Sequence, residues 1–408
     1  MIKRNFILTA EVLGMSLILL SLNHAEATQT SKNPIISTSS IEKITPVQKI
    51  TDNQSYSLSK GKQGKWIHAG TANQAIKKYR AKYNVPGISV AIAKNGKIIY
   101  AEGFGWQNVE KKIKASNSTI YRLASVSKPI TAILAMEMAE QNKLLLNKNI
   151  RAYLPEKLPQ YHNYRIRELL SHQSGVRHYK KGQDPTKNAK KHYLRAQDAM
   201  QLFVKDKLVI EPRSNYKYST HGYTVLAAAM EKTANKPFFR YTRDRFRGWG
   251  LKDLSPELAK INQTNRAQIY TLKNGKNLVS QRDDLSWKYA GGGYQSSAPD
   301  LARLSIRLLN GKIISKQSLN IMWTPQKSQG RTTRYGLGWG VGTDEDGRKI
   351  VAHSGAQNGA ASYWRIYPHE KVVVVVISNR RGHKPRDLGS SLGKLTVTNS
   401  ITKPVSQK

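Results

Sequence analysis

The chain has 408 residues, of which 67 are Lys or Arg and 26 are Asp or Glu, so its formal net charge at pH 7 is +41. It contains no cysteine, which excludes disulfides, thiol catalysis and thiolate metal ligands. A hydrophobic fraction of 39%, with 20 Tyr and 7 Trp, predicts a folded protein with a large core. The excess of positive charge predicts an anionic partner or surface.

The N-terminus has the organisation of an export signal. Two basic residues precede a largely apolar run over residues 6–22, which Glu11 interrupts, and Ala25-Glu-Ala27 is a small-x-small cleavage site. We therefore expect residues 1–27 to be a signal peptide, and a periplasmic or extracellular protein that keeps no membrane span after cleavage. An uncleaved anchor is the alternative, although bilayer spans usually need about 20 apolar residues.

Three further segments follow this signal. Residues 28–70 are rich in Ser, Thr, Lys and Gln, which predicts an extended or disordered lead-in. We expect one large domain over residues 71–395, which begins with a helix from Thr71. A basic tail is expected over residues 396–408.

Strand patterns lie at both ends of this domain. Two apolar runs flank Asn95-Gly96, which is typical of a β-hairpin over about residues 88–105. The middle is mainly helical in pattern. The C-terminal third contains short β patterns at residues 335–341, 350–353, 361–367 and 372–378. We therefore predict an α/β fold in which an antiparallel β-sheet is flanked by helices and carries an inserted all-helical lobe at about residues 125–285.

Residues 177–195 form a basic segment in that lobe. The basic residues are Arg177, Lys180, Lys181, Lys187, Lys190, Lys191 and Arg195, against the single acid Asp184. Two interpretations remain open, which are a solvated insertion loop and a basic rim that faces the substrate.

Ser125 and Lys128 stand at the start of an apolar helix pattern. Because they are three residues apart, a helix would point both side chains the same way. A serine hydroxyl needs a base during attack, and a lysine whose pKa is lowered by burial can serve as that base. The S-x-x-K motif by itself recurs by chance in unrelated proteins. The alternative to a catalytic pair is an exposed Ser and Lys at the end of a helix.

Three ordered motifs resemble those of the serine beta-lactamase-like hydrolases. They are Ser125-Val-Ser-Lys128, Tyr218-Ser-Thr220 and His353-Ser-Gly355. This family includes D-alanyl-D-alanine carboxypeptidases, class C beta-lactamases, related esterases and LACTB-type proteins. The resemblance covers roughly residues 71–379. Supporting phrases are Leu169-Leu-Ser-His-Gln-Ser-Gly175, Gly291-Gly-Gly, Ser296-Ser-Ala-Pro-Asp300 and Tyr335-Gly-Leu-Gly-Trp339.

The resemblance implies a catalytic mechanism. Ser125 would form an acyl-enzyme, Lys128 and Tyr218 would pass the proton, and the backbone N–H groups of Ser125 and Ala356 would hold the oxyanion. Tyr218 would be the base that activates water for deacylation.

The resemblance also implies substrate contacts. The residues expected to bind substrate are Thr220, His353, Ser354 and Gly355. His353 would supply a charge or a hydrogen bond, and Gly355 would let a substrate backbone approach the strand edge. Thr220 stands where carboxypeptidases and class C beta-lactamases usually carry Asn, and the Tyr-Ser-Thr motif is nearest to the LACTB-type branch.

Two stretches depart from the family pattern. Glu211-Pro-Arg213 stands where Pro-Gly is usual. After Asn379 the chain is polar and basic, where many relatives have a longer terminal helix. We expect these departures to affect packing and not the chemistry.

The combined prediction is an exported serine hydrolase that acts on an amide or ester, either a cell-envelope peptide or a small ester. A beta-lactamase and a non-catalytic envelope-binding protein of the same fold are the alternatives. A Ser-His-Asp triad is disfavoured because no G-x-S-x-G surrounds any serine. We expect no metal and no cofactor, because no H-E-x-x-H or paired Cys/His cluster occurs. Export argues against a specific nucleic-acid partner and favours anionic cell-envelope polymers.

Overall fold

The computed structural model describes residues 66–180, 191–259, 261 and 263–398. The predicted signal peptide, most of the predicted lead-in and residues 399–408 of the predicted tail lie outside the described residues.

The described residues form strands and helices as follows. The strands are β1 (Gly87–Lys94), β2 (Lys97–Asn108), β3 (Ile113–Lys114), β4 (Tyr121–Arg122), β5 (Ser255–Pro256), β6 (Tyr270–Lys273), β7 (Lys276–Val279), β8 (Tyr294–Ser296), β9 (Lys327–Ser328), β10 (Arg331–Thr332), β11 (Gly340–Thr343), β12 (Lys349–Gln357), β13 (Ala360–Tyr367) and β14 (Val372–Ser378). The helices are α1 (Ala69–Lys82), α2 (Ser127–Glu140), α3 (Ile166–Leu170), α4 (Ala196–Ala199), α5 (Thr220–Ala234), α6 (Phe238–Gly248), α7 (Tyr289–Gly292), α8 (Ala298–Leu309), α9 (Lys316–Met322) and α10 (Pro385–Thr398).

The main sheet joins the two ends of the domain. Within the described residues it has seven strands in the order β11-β12-β13-β14-β1-β2-β3. Every pair is antiparallel, and β1 meets β14 with Ile88 opposite Ser378. The segment between β3 and β11 contains most of the helices. The predicted fold class, an antiparallel sheet with flanking helices and a helical insert, is confirmed.

Both faces of this sheet are covered, which explains the apolar run in β14. Val373, Val375 and Ile377 pack into the larger core, which includes α2 and α8. Val372, Val374 and Val376 pack into a second core, which includes α1 and α10. A strand that is buried on both faces reads as a continuous apolar run rather than an alternating one.

The expectation of a polar tail in place of a terminal helix is wrong over Pro385–Thr398. This segment forms α10, which buries Leu388, Leu392 and Val397 against β13 and β14. Gly389 allows the close approach, because an added Cβ would lie 2.5 Å from the ring of Tyr363. A few apolar residues at helical spacing are therefore enough to hold the helix on the sheet.

The helical insert contains a hairpin that the sequence interpretation did not include. Strands β6 and β7 pair around Asn274-Gly275, and both turn residues have positive φ. A small three-stranded sheet, in the order β4-β8-β5, lies nearby. None of the helices in the described part of the chain is both long enough and apolar enough to cross a membrane.

Candidate active site

Ser125 lies in a short 3₁₀ turn, Ala124–Val126, that leads directly into α2. Ala124 has a φ of 48°, a left-handed conformation that costs a non-glycine residue about 1–2 kcal/mol. Strained backbone of this kind persists where the surrounding structure holds it. The turn leaves Ser125 partly exposed, while Lys128 is completely buried.

Lys128 lies directly beside the Ser125 hydroxyl. Its Nζ atom is 3.3 Å from Ser125 Oγ, donates to Gly291 O at 2.7 Å and to Thr220 Oγ1 at 3.1 Å. Burial lowers the pKa of Lys128 well below its usual value, and the nearby charge of Lys288 lowers this pKa further. Both effects favour the neutral amine, which can accept a proton.

Tyr218, the third residue expected to transfer protons, lies beside Lys128 and Ser125. Its ring lies 4.6 Å from Lys128 Nζ. Burial raises the pKa of Tyr218, an effect that its interaction with the Ser125 hydroxyl partly offsets. A neutral phenol can relay a proton but is a poor base by itself. The two pKa directions therefore favour Lys128 over Tyr218 as the base in both halves of the reaction.

His172 positions the Tyr218 loop and was not assigned a role from the sequence. Its ring lies 4.3 Å from that of Tyr218, and its Nδ1 accepts a hydrogen bond from Ser219 N at 3.1 Å. Burial lowers the pKa of His172 well below its usual value, so the ring is neutral. Its only signal in the sequence was its place in the phrase Leu169–Gly175.

Thr220 begins α5, where Ser219 Oγ accepts from Gly222 N as an N-cap. The backbone N–H of Thr220 donates to His178 Nδ1 at 3.1 Å, and the His178 ring stacks on that of Tyr179 at 4.0 Å. The sequence interpretation did not assign a role to His178 or Tyr179.

Neither interpretation of the basic segment describes its first residue. Arg177 is buried and binds Asp206 at 2.6 Å, so it is a structural ion pair. Residues 181–190 lie outside the described residues.

His353 is placed differently from the expectation of a charged substrate contact. Its Nδ1 donates to Ser354 O at 2.7 Å, and its Nε2 accepts from the Tyr335 hydroxyl at 3.0 Å. Burial, together with the charge of Lys128, lowers the pKa of His353 to about 3. Because the ring is neutral and both nitrogens are bonded within the protein, the expectation of a charge from His353 is wrong.

Gly355 lets β12 pass against the turn that carries the nucleophile. An added Cβ would lie 2.4 Å from Leu123 O and 3.0 Å from Ser125 N. The chain's own Ser125 turn therefore lies close against Gly355, and the expected approach of a substrate backbone to this strand edge stays a prediction. This contact places β12 against Ser125 N, and Ala356, the expected second oxyanion donor, is the next residue of the strand.

The outer edge of β12 is available to a substrate backbone. Strand β11 pairs only with Lys349–Ala352, and the described residues offer no further strand partner along residues 353–357 of that edge. Ser354 is exposed on this stretch. A search of the described residues finds no group of His, Asp and Glu side chains that could hold a metal ion.

The site therefore combines a partly exposed serine, a buried lysine beside it, a neutral tyrosine and an open strand edge with backbone donors. On this fold, these features define a serine hydrolase. The sequence model of the Beta-lactamase family matches residues 72–396, and the chain belongs to this family.

Known proteins extend this similarity. The chain is 25% identical over 394 residues to the mitochondrial serine beta-lactamase-like protein LACTB of Homo sapiens, an alignment that covers 74% of this chain and 72% of that protein. The octameric penicillin-binding protein homologue from Pyrococcus abyssi is similar in structure, with a TM-score of 0.72, 24% identity and coverage of 81% of this chain and 77% of that one. The D-amino acid amidase from Ochrobactrum anthropi has a TM-score of 0.69, 20% identity and coverage of 80% and 99%. These two structures share the fold.

Proposed function

We propose that the protein is an exported serine hydrolase that cleaves an amide or ester bond through an acyl-enzyme on Ser125. The observation that carries this proposal is the distance of 3.3 Å between Lys128 Nζ and Ser125 Oγ, at a lysine whose pKa burial lowers. No carboxylate lies within ion-pair distance of Lys128 in the described residues, so nothing there holds the amine in its charged form. Such a lysine suits general base catalysis.

Acylation begins when Lys128 Nζ accepts the proton of the Ser125 hydroxyl. The Oγ atom then attacks the substrate carbonyl carbon, and the resulting oxyanion accepts hydrogen bonds from the N–H groups of Ser125 and Ala356. Collapse of this intermediate breaks the bond to the leaving amine or alcohol. The leaving group takes up the proton from Lys128, through the Tyr218 hydroxyl.

Deacylation uses the same groups in reverse. Water attacks the acyl carbon, its proton passes to Lys128, and the bond between the acyl carbon and Ser125 Oγ breaks. The free acid leaves and Ser125 recovers its proton. Lys128 acts as base for both attacks because it is the group whose neutral form burial favours.

The class of bond is proposed to be an amide or ester rather than a beta-lactam. Thr220 accepts from Lys128 through its single hydroxyl, and it has no amide that could bind a substrate amide at the same time. The names of the structural neighbours, a D-amino acid amidase and a penicillin-binding protein homologue, support peptide-like or amide substrates.

The setting is proposed to be the cell envelope. The apolar N-terminal pattern and the small-x-small site support export, and the net charge of +41 supports attraction to anionic envelope polymers. A non-catalytic envelope-binding protein is the second candidate. It would not need the contact between Lys128 and Ser125.

Labelling with a fluorophosphonate, read by intact mass, tests the proposal directly. The wild type should gain one adduct and hydrolyse p-nitrophenyl acetate, and Ser125→Ala should lose both. Ser118→Ala is the matched control, because Ser118 is an exposed serine outside the site. Equal labelling of the Ser125→Ala variant would reject Ser125 as nucleophile, and an unlabelled wild type would favour the binding protein.

A further inference from the structure

Lys288 is a second buried lysine beside the active site, and the mechanism does not use it. It ends the 3₁₀ turn Ser286–Lys288 and is only 6% exposed. Its Nζ atom lies 4.9 Å from the ring centre of Trp287 and 6.0 Å from that of Tyr179. Its Nζ atom makes no hydrogen bond or ion pair with any described residue. Burial of an unpaired ammonium group is costly, and a ligand that pairs with it offsets this cost.

The acidic residues near Lys288 are already paired with arginines. Asp283 binds Arg122 at 2.6 Å, and Glu257 binds Arg122 at 2.7 Å and Arg282 at 2.8 Å. Burial lowers the pKa of Lys288 to about 8, with Asp283 and Glu257 raising it and Arg122 lowering it. Lys288 is therefore cationic at neutral pH. The remaining titratable groups that its charge affects are Lys128, His178 and His221.

Lys288 lies close to the nucleophile. A Cβ added to Gly292 would be 3.7 Å from Lys288 Cδ, 3.5 Å from Gln357 Oε1 and 3.9 Å from the carbonyl carbon of Ala124. Ala124 precedes Ser125, and Gln357 follows Ala356. The side chains of Lys288 and Gln357 and the Ser125 turn therefore border the same small space at Gly292.

Gln357 adds a second unpaired donor to this space. Its Nε2 atom is buried and has no hydrogen-bond partner in the described residues. The Lys288 ammonium group and the Gln357 amide N–H each lie two bonds beyond the atoms that border Gly292, and together they match the two oxygens of a carboxylate. In the proposed mechanism the leaving group faces Tyr218 to receive its proton, and we place the acyl chain on the side of Gly292 and Lys288.

We propose that Lys288 and Gln357 bind a carboxylate on the acyl chain of the substrate, so that the enzyme prefers acyl donors with an acidic acyl group. This inference rests on the proposed function and names its substrate class. A carboxylate on the leaving group is the other possible source of the same chemistry, and the test distinguishes the two.

The test compares two esters that share one leaving group. They are p-nitrophenyl hydrogen adipate, which carries a free carboxylate, and its neutral methyl ester, p-nitrophenyl methyl adipate. A charge-assisted hydrogen bond predicts that wild-type kcat/KM for the acidic ester exceeds that for the neutral ester by about 10- to 100-fold. Lys288→Met should reduce this ratio to near one. Any effect of Lys288 on the base Lys128 changes kcat/KM equally for both esters, so it cancels in the ratio.

The matched control is Lys232→Met, which removes an exposed lysine from α5 and should keep the wild-type ratio. A wild-type ratio near one, or an unchanged ratio in Lys288→Met, would overturn the inference. So would a Lys288-dependent preference for a carboxylate on the leaving group, measured with 4-carboxyphenyl acetate against phenyl acetate. If the wild type hydrolyses the neutral ester and the Ser125→Ala variant does not, the proposed function stands whatever the result for Lys288. If the wild type cleaves neither ester and forms no adduct, both proposals fail.

The pH dependence of the ratio tests the inference without a variant. Because kcat/KM reports the free enzyme, the ratio should fall as pH rises through about 8, where Lys288 loses its proton. Lys288→Arg should keep the ratio at high pH, since a guanidinium group stays charged. A wild-type ratio that is constant to pH 10 would contradict the role of Lys288.

Discussion

Gly355 and Ser125 meet where β12 crosses the turn before α2, and a Cβ on Gly355 would lie 3.0 Å from Ser125 N. The same Cβ would be 2.4 Å from Ser362 Oγ, which donates to Leu123 O at 2.6 Å. In the proposed reaction β12 supplies one oxyanion donor and the turn supplies the nucleophile, so this contact holds the two groups together. The geometry of the proposed reaction depends on this contact.

Substitution of Gly355 should therefore damage activity more than stability. Gly355→Ala forces apart β12 and the Ser125 turn, and we expect a loss in kcat/KM of about 100-fold, as for removal of one oxyanion donor. Overpacking should lower the free energy of unfolding by about 1–3 kcal/mol. Gly342→Ala is the control, since a Cβ on Gly342 in β11 meets nothing within 4 Å. Equal activity of the two variants would contradict this account of the oxyanion site.

Lys128 should set the acid limb of the pH profile. Since burial lowers its pKa, the neutral base is present above that lowered value, and kcat/KM should rise with pH and level off well below pH 10. Lys128→Arg keeps the charge but cannot lose a proton, and should reduce kcat/KM by about 10²–10⁴-fold. An acid limb near pH 10.5, or an active arginine variant, would show that Lys128 is not the base.

The buried histidines around Tyr218 should make the fold sensitive to acid. Burial lowers the pKa of His178 to about 4 and those of His221 and His353 to about 3. Below pH 6.5 the unfolded chain binds protons that these folded histidines do not, so the free energy of unfolding falls as pH decreases from 6.5 towards 4. Each contributes up to about 1.4 kcal/mol per pH unit.

His221 offers a direct check of the predicted loss of stability at low pH. Its ring stacks on Phe203 at 4.2 Å, and its Nδ1 has no partner in the described residues. In urea unfolding at pH 7 and pH 5, His221→Phe should show a smaller loss of stability between the two pH values than the wild type. An equal or larger loss would mean that His221 is not held neutral by burial.

The positive surface should bind anionic polymers in a salt-dependent way. Arg240 and Arg247 on α6 are two of its exposed cations. The screening length falls from about 10 Å at 0.1 M salt to about 3 Å at 1 M, so retention on isolated cell envelopes should weaken over this range. Sedimentation with envelopes measures it, and a cationic matrix, which should retain nothing, is the control. Retention that is indifferent to salt would contradict a diffuse electrostatic attachment.

Local patterns predicted the parts of this structure that depend on neighbours in sequence. The hairpin around Asn95-Gly96 and strand β14 follow from turn chemistry and apolar runs. The hairpin around Asn274-Gly275 carries the same turn signal, but each of its strands has only four residues and they are largely exposed, so the apolar pattern was too short to mark them. Helix α10 was missed because its few apolar residues are diluted by polar ones.

Some features of the candidate site could likewise be predicted from neighbouring residues, and others could not. The spacing of Ser125 and Lys128 predicted their proximity, because a helix start fixes it. The proposed role of Lys288 depends on its burial and on the lack of a partner for its Nζ atom among the described residues, which only the folded chain reveals. Likewise, Tyr335 lies 18 residues before His353, and no sequence pattern indicated that its hydroxyl donates a hydrogen bond to His353 Nε2.

Thr220 should limit the turnover of beta-lactams. Its Oγ1 accepts from Lys128 Nζ, and its methyl group lies 2.7 Å from the position of a Cβ on Gly291, so the side chain is confined between α2 and α7. An Asn at this position could accept from Lys128 and donate to a substrate amide, whereas one hydroxyl cannot make both contacts at the same reach. A missing hydrogen bond of roughly 0.5–1.5 kcal/mol, and more where a buried partner is stranded, corresponds to about tenfold or more in efficiency.

We therefore expect slow hydrolysis of a cephalosporin beside faster cleavage of a small ester or peptide. Thr220→Asn should raise kcat/KM for the cephalosporin by about tenfold, because the amide restores the second contact. Thr220→Val, which has the same shape without a hydroxyl, is the control and should not raise it. If the wild type already hydrolyses the cephalosporin with a kcat/KM of about 10⁶ M⁻¹s⁻¹, within the range of good enzymes on their own substrates, Thr220 is no handicap. The assignment as a beta-lactamase would then replace the one proposed.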